Sequence, residues 1–127
     1  LLAAALLDME LHNLTDTDNL NVVAFEKETM DKLGLIPEIA PRYRATYFSH
    51  IIGGYAAGYY SYLWAEVLDT DAFEAFKEHG VFDKNTADSF RKNILEKGGT
   101  EDPMTLYRGF RGADPSLEPL LKNRGLK

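Results

Sequence analysis

The residues best suited to chemistry lie in the run His50-Ile51-Ile52-Gly53-Gly54-Tyr55-Ala56-Ala57-Gly58-Tyr59-Tyr60-Ser61-Tyr62-Leu63-Trp64-Ala65-Glu66. Tyr55, Tyr59, Tyr62 and Glu66 recur at intervals of four, three and four, which on a helix is a single face. A phenol is a neutral hydrogen-bond donor at pH 7 and suits an oxygen that gains negative charge only in a transition state. A histidine held nearby can donate to the same oxygen or to a neighbouring carbonyl. Ala56, Ala57, Gly58 and Ser61 separate the tyrosines and let a ligand or another backbone come close. Gly53-Gly54 allows the backbone angles that a loop folding over a ligand requires. Tyr60, Leu63, Trp64 and Val67 fall on the opposite side and read as a core stripe. Spacing alone favours packing over chemistry, because tyrosine stripes commonly sit half-buried at helix interfaces with their hydroxyls satisfied by backbone. His50, on the same grounds, reads as an ordinary buried histidine.

The elements that must position these residues are helical almost throughout. A first helix runs from the start to about His12. A polar loop from Asn13 to Asn19 leads into a second, in which Val22, Phe25, Met30 and Leu33 recur at helical spacing and Gly34 occupies a left-handed cap position. From Leu35 to about Gly54 the pattern fails at Pro37 and Pro41, and the chain reads as an extended segment ending in the Gly53-Gly54 turn. Helix resumes from about Ala56 to Leu68. Asp71-Ala72-Phe73-Glu74 has capping-box spacing and opens a short helix that Gly80 stops. Asp83 caps a further helix with Ala87, Phe90 and Ile94 on one face, and Gly98-Gly99 follows its end. Asp102-Pro103 and Asp114-Pro115 each read as an N-cap followed by proline at the first helical position. The first of these two helices buries Leu106, Tyr107 and Phe110; the second offers Leu117, Leu120 and Leu121, with Gly125 ending it. The expectation is one all-α unit of about seven short helices.

Bulk properties narrow the function classes. At 127 residues, 45% of them apolar, the chain has the size and core of one domain. A net charge of −6 argues against nucleic acid and against an anionic membrane surface. The lack of cysteine excludes disulfides and cysteine-based zinc sites and fits a reducing compartment, the cytoplasm. No apolar run is long enough to span a bilayer. Leu1 to Leu7 has no initiator Met or basic leader, so it does not read as a signal peptide. It reads instead as a helix begun in mid-stride, apolar nearly all round and without an N-cap, as in a segment of a larger protein. Deprived of its partners, such a helix is expected to expose an apolar patch that drives self-association.

The run from His50 to Glu66 resembles the signature of the thimet-oligopeptidase family of zinc peptidases: a histidine, a Gly-Gly-Tyr turn, and tyrosines four and seven positions after the first. His50, Tyr55, Tyr59 and Tyr62 fill those positions. The resemblance continues through Val67-Leu68, Gly98-Gly99-Thr100-Glu101-Asp102-Pro103-Met104, Phe110-Arg111-Gly112 and Pro115, covering essentially the whole chain downstream of Arg42. Upstream, Leu1 to His12 resembles the helix after the family's metal-binding segment.

The resemblance implies that residues 1–127 are the C-terminal segment of a mostly helical peptidase catalytic domain. In such enzymes zinc is held by the histidines of a His-Glu-x-x-His helix and a downstream glutamate. No such motif occurs here, and His12, His50 and His79 are too far apart to form its pair. Glu10 and His12, two apart on a helix, point to different sides. The ligands are therefore expected upstream in the same polypeptide, and the chain alone is expected to be inactive. Carried over by position, His50 and Tyr62 would stabilise the oxyanion formed when zinc-bound hydroxide attacks the peptide carbonyl. Tyr55 would close onto the substrate backbone, and Tyr59 would complete the subsite wall. Arg42, Arg44 and Arg111 are candidate partners for a peptide carboxylate, although surface pairing is the commoner fate of such arginines. Short peptides are the implied substrates. The tail Asn123-Arg124-Gly125-Leu126 resembles a peptidyl-dipeptidase, which releases C-terminal dipeptides, whereas Gly98 to Met104 also looks like oligopeptidase A. A non-catalytic helical module that holds peptides on its tyrosine face is the reading from a different class.

Overall fold

Most helices of this chain begin or end where a side chain or a glycine can satisfy the free backbone groups of a terminal turn. The computed structural model describes residues 1–127 and contains six α-helices and no strand. Helix α1 spans Leu2–His12 and α2 spans Val22–Lys32; Asn21 caps α2 by accepting the Ala24 N–H at 3.0 Å. Gly34 follows α2 with φ +65°, the left-handed cap expected of it. Two 3₁₀ turns, Ala45–Tyr47 and Ser49–Ile52, occupy the stretch expected to be extended.

Helix α3 departs most from the sequence reading. It starts at Ser61 rather than near Ala56, and it runs unbroken to His79. Asp71, expected to cap a separate helix, lies inside it and is buried. Gly80, at φ +111°, ends it as expected. Asp83 caps α4, Lys84–Phe90, through the Thr86 N–H at 2.7 Å, and a π-helical turn, Arg91–Leu95, extends that helix. Asp102 caps α5, Pro103–Arg111, through the Thr105 N–H at 2.9 Å, with Pro103 in its first turn and Gly112 left-handed after it. The last helix, α6, spans Glu118–Asn123 and so starts later than the Asp114-Pro115 pair suggests; the Ser116 hydroxyl accepts the Glu118 N–H at 3.2 Å.

The chain divides into two compact units, Leu1–Leu63 and Trp64–Lys127. In the first, Ala4, Ala5, Phe48, Ile51 and Tyr59 form the core, with Leu1, Leu11, Tyr43 and Leu63 packed against it. The first helix is thus not stranded. Ala4, Ala5 and Leu7 are buried, and Leu2 alone of its large apolar side chains is strongly exposed. In the second unit Val67, Ala72, Ala75, Leu106, Tyr107 and Leu120 are buried, and Phe76, Phe90 and Phe110 pack edge-on or tilted with centroids 5.1–6.2 Å apart. An open cavity of about 490 Å³ in this unit is lined chiefly by apolar side chains, among them Phe73, Phe76, Phe90, Ile94 and Leu106.

Candidate active site

Residues 53–60 form a chain of turns, and a buried carboxylate holds them. Asp8, on α1 and wholly inaccessible, accepts the Ala57 N–H on one oxygen and the Tyr59 N–H on the other, both at 2.9 Å. His12 Nδ1 lies 2.9 Å from the same carboxylate, one helical turn on. A buried carboxylate is costly unless its lone pairs are occupied, and here backbone donors occupy both oxygens. Ala57 adopts φ +53°, a left-handed conformation uncommon for a residue with a Cβ, and the bond from its N–H to Asp8 helps to hold it.

A second carboxylate fixes the approach to this segment. Glu26 on α2 is 4% exposed; it accepts the Ala45 N–H at 2.6 Å and pairs with the Arg44 guanidinium. That pair sets the 3₁₀ turn leading to Phe48 and His50. Both carboxylates escaped the sequence reading. The available signal for Asp8 was a lone acid at the end of a Leu/Ala run.

Between these anchors six rings gather. The His50 imidazole lies 4.7 Å from Tyr43, 5.3 Å from Tyr59, 5.9 Å from Phe48 and Tyr55, and 6.3 Å from Tyr62, measured between ring centroids. Tyr55 and Tyr62 stack at 5.1 Å, and Tyr62 is equally far from Tyr59. Phe48 and Tyr59, 1% and 2% exposed, form the floor, whereas Tyr55 and Tyr62 remain about two-fifths exposed and form the rim. His50 Nδ1 is buried without a hydrogen-bond partner.

Of the four positions singled out by spacing, Tyr55, Tyr59 and Tyr62 converge around His50, but not as one helix face. Tyr55 and Tyr59 precede α3, and only Tyr62 and Glu66 lie on it. Glu66 is engaged in an ion pair with Arg124. The expected core stripe is also revised: Val67 is buried, while Tyr60 and Trp64 are 53% and 46% exposed. Tyr59 takes the core place instead. Tyr43, central to the cluster, carried no signal beyond being one aromatic among several.

Electrostatics keep the phenols protonated. Burial raises the Tyr59 pKa above the ordinary phenol value; Tyr43 adds to this, and the Arg42 charge opposes it. The Tyr62 pKa is raised first by hydrogen bonding with Tyr55, although the pair falls short of strict hydrogen-bond geometry, and then by desolvation. Both remain neutral donors across the physiological range.

The three arginines named above separate cleanly. Arg44 pairs with Glu26, and Arg111 meets Glu78 at 2.8 and 3.0 Å and Asp71 at 3.4 Å. Arg42 has no carboxylate partner and lies over the Tyr43 ring, 5.5 Å from its centroid. No three His, Asp or Glu side chains gather so as to hold a metal ion.

The profile described as peptidase family M3 matches residues 1–126. The dipeptidyl carboxypeptidase of Escherichia coli K12 is 45% identical over 99% of the chain, which spans 19% of that protein. Oligopeptidase A of the same organism is 57% identical over 63% of the chain, a stretch equal to 12% of its own length. A probable cytosolic oligopeptidase A of Arabidopsis thaliana is 42% identical over 96% of the chain and is covered over 18% of its length. The chain thus spans about a fifth of the curated relatives that it matches most fully.

Proposed function

The chain belongs to peptidase family M3, and on that premise we propose that it forms the C-terminal segment of the catalytic domain of a zinc metallopeptidase, supplying groups that bind a short peptide and stabilise its reacting carbonyl. The observation that carries this reading is the ring cluster, in which His50, Tyr55 and Tyr62 converge at an exposed rim over a floor of Tyr59 and Phe48. Tyr62 and His50 donate hydrogen bonds to the carbonyl oxygen as charge develops on it. The unpaired, buried Nδ1 of His50 supports this assignment. A lone pair is easier to leave unmatched than an N–H, so neutral imidazole is expected to carry its proton on Nε2. Tyr55, on the turns after Gly53-Gly54, contacts the peptide backbone. Tyr59, buried with its ring 5.1 Å from that of Tyr62, supports this phenol and completes the wall of the subsite at its floor.

Zinc fits this reading only from outside these residues. His12 is turned onto Asp8, His79 bonds the Ala75 carbonyl, and His50 stands among aromatic rings. The chain's own side chains do not make a zinc site. The ligands, and the remainder of the fold that completes the site, belong to other parts of the parent polypeptide in this proposal. No helix is long and apolar enough to cross a membrane; a cytoplasmic location is part of the proposal.

The reaction proposed for the whole enzyme is release of C-terminal dipeptides, because the likeness to the dipeptidyl carboxypeptidase runs over nearly the entire chain. Cleavage within oligopeptides is the second reading, favoured by the higher identity to oligopeptidase A over a shorter stretch. Incubating the complete, zinc-loaded enzyme with a hexapeptide and identifying the products by mass separates the two. Successive loss of dipeptides from the C-terminus is the expected result. Internal cleavage overturns the first reading in favour of the second, and no cleavage overturns both.

A further inference from the structure

Two histidines close the last turn of a helix in the same way, and they differ in what lies beside them. His12 Nδ1 meets the Asp8 carbonyl at 2.9 Å at the end of α1, and His79 Nδ1 meets the Ala75 carbonyl at 2.8 Å at the end of α3. Ala75 offers nothing more. Asp8 also brings its wholly buried carboxylate, whose Oδ1 lies 2.9 Å from the same His12 nitrogen. Both neighbours of that nitrogen are acceptors, so His12 carries a proton on Nδ1. No lysine or arginine pairs with Asp8, which leaves His12 as its basic partner.

Building on the peptidase reading above, we propose that His12 is a positioning residue for the reaction: through Asp8 it fixes the turns that carry Tyr55 and the helix start that carries Tyr62. Asp8 Oδ1, the oxygen beside His12, accepts the Ala57 N–H, and Oδ2 accepts the Tyr59 N–H. These two backbone donors alone would let carboxylate and turns shift together. The His12 proton, held against the backbone of α1, ties the carboxylate to that helix. Displacement of Asp8 has two routes to the rim. Ala57, left-handed at φ +53°, lies two residues after Tyr55, and its N–H shares Oδ1 with His12. The Tyr59 carbonyl accepts the Tyr62 N–H at 3.3 Å, so a shift at Tyr59 passes to the first turn of α3. A donor aimed at charge that develops only in the transition state loses rate when it is misplaced, with little change in ground-state binding.

The test uses the complete zinc-loaded enzyme and a blocked tetrapeptide. His12→Leu is expected to lower kcat about 10-fold with KM little changed. His12→Gln, whose amide nitrogen falls near the place of Nε2, is expected to match it. His12→Asn, whose amide nitrogen stands near the place of Nδ1, is expected to recover most of the loss. His79→Leu removes the same carbonyl bond from a helix end with no carboxylate beside it, and is expected to leave kcat and KM unchanged. In a Tyr62→Phe background His12→Leu is expected to cost less than about 3-fold more, because the donor it positions is already gone. The His12 side chain is 34% exposed and ends its helix, so the fold should persist. Amide exchange in His12→Leu should rise at Ala57 and Tyr59 and stay unchanged within α1. A wild-type kcat in both His12→Leu and His12→Gln refutes the role of His12 and leaves the peptidase reading intact. So does an Asn variant no better than the Gln variant, or a full 10-fold loss in the Tyr62→Phe background. A wild type that does not cleave the peptide overturns the peptidase reading and the role of His12 with it.

Discussion

The two units of this chain use buried carboxylates differently. In the unit from Leu1 to Leu63, Asp8 and Glu26 accept backbone N–H groups from segments 49 and 19 residues away, pinning turns that have no helix ladder of their own. In the unit from Trp64 to Lys127, Asp71 instead takes the Tyr107 hydroxyl at 2.6 Å and lies 3.4 Å from Arg111, joining side chains of helices already complete. Where the backbone is irregular, a carboxylate fixes backbone; where it is regular, a carboxylate fixes packing. The first arrangement produces a loop that can present His50, Tyr55 and Tyr62 together, and it makes that loop dependent on one residue.

Asp8→Asn is the severest test of that contrast. The amide keeps one acceptor but turns a donor toward the second N–H, so a stability loss of about 2–4 kcal/mol is expected, read by denaturant unfolding. Amide exchange at Ala57 and Tyr59 should rise first. Unchanged protection there would show that the turns hold themselves. Tyr62→Phe in the complete enzyme removes a donor and keeps the ring, so kcat should fall on the order of 10²–10³-fold with KM little altered. A near-normal kcat would make the rim tyrosines packing residues.

Tyr107→Phe should cost less, about 1–3 kcal/mol for the buried Asp71 left without its phenol. It carries a pH signature as well. The Tyr107 pKa is raised, first by burial and then by its bond to Asp71. Below the ordinary phenol pKa of about 10 both folded and unfolded forms keep the proton, and the contribution is complete. As pH climbs past that value the unfolded phenol ionises while the folded one does not, so stability is lost. Tyr107→Phe should flatten this decline relative to wild type. The smallest effect is expected of Tyr60→Phe. That side chain is 53% exposed and outside the cluster, so kcat should stay within a few-fold of wild type.

Much of the fold was legible because its determinants are local. Asp83, Asp102, Gly34, Gly80 and Gly125 mark helix ends through bonds or backbone angles within a few residues of themselves. The candidate site was legible too, since His50, Tyr55, Tyr59 and Tyr62 lie within one short run whose likeness to a peptidase family does not depend on the conformation it adopts. Local rules failed at Asp71, whose spacing to Glu74 fits a cap. The helix instead continues, because burial against Tyr107 and Arg111 gives that carboxylate better partners than a free helix end would.

What the sequence determined by itself was the helical class, most helix ends, the family and the set of residues available for chemistry. Tertiary structure decided which of them face the solvent and which are already engaged. By spacing, Tyr59 belongs with the other site tyrosines and Tyr60 with the core. The structure reverses their burial because Asp8 takes the Ala57 and Tyr59 N–H groups and delays the helix to Ser61. Arg42 and Arg44 are near-equivalent as letters, and only the fold brings Glu26 to one and leaves the other free on Tyr43. Both outcomes rest on contacts between residues far apart in the chain, where neither periodicity nor propensity carries information.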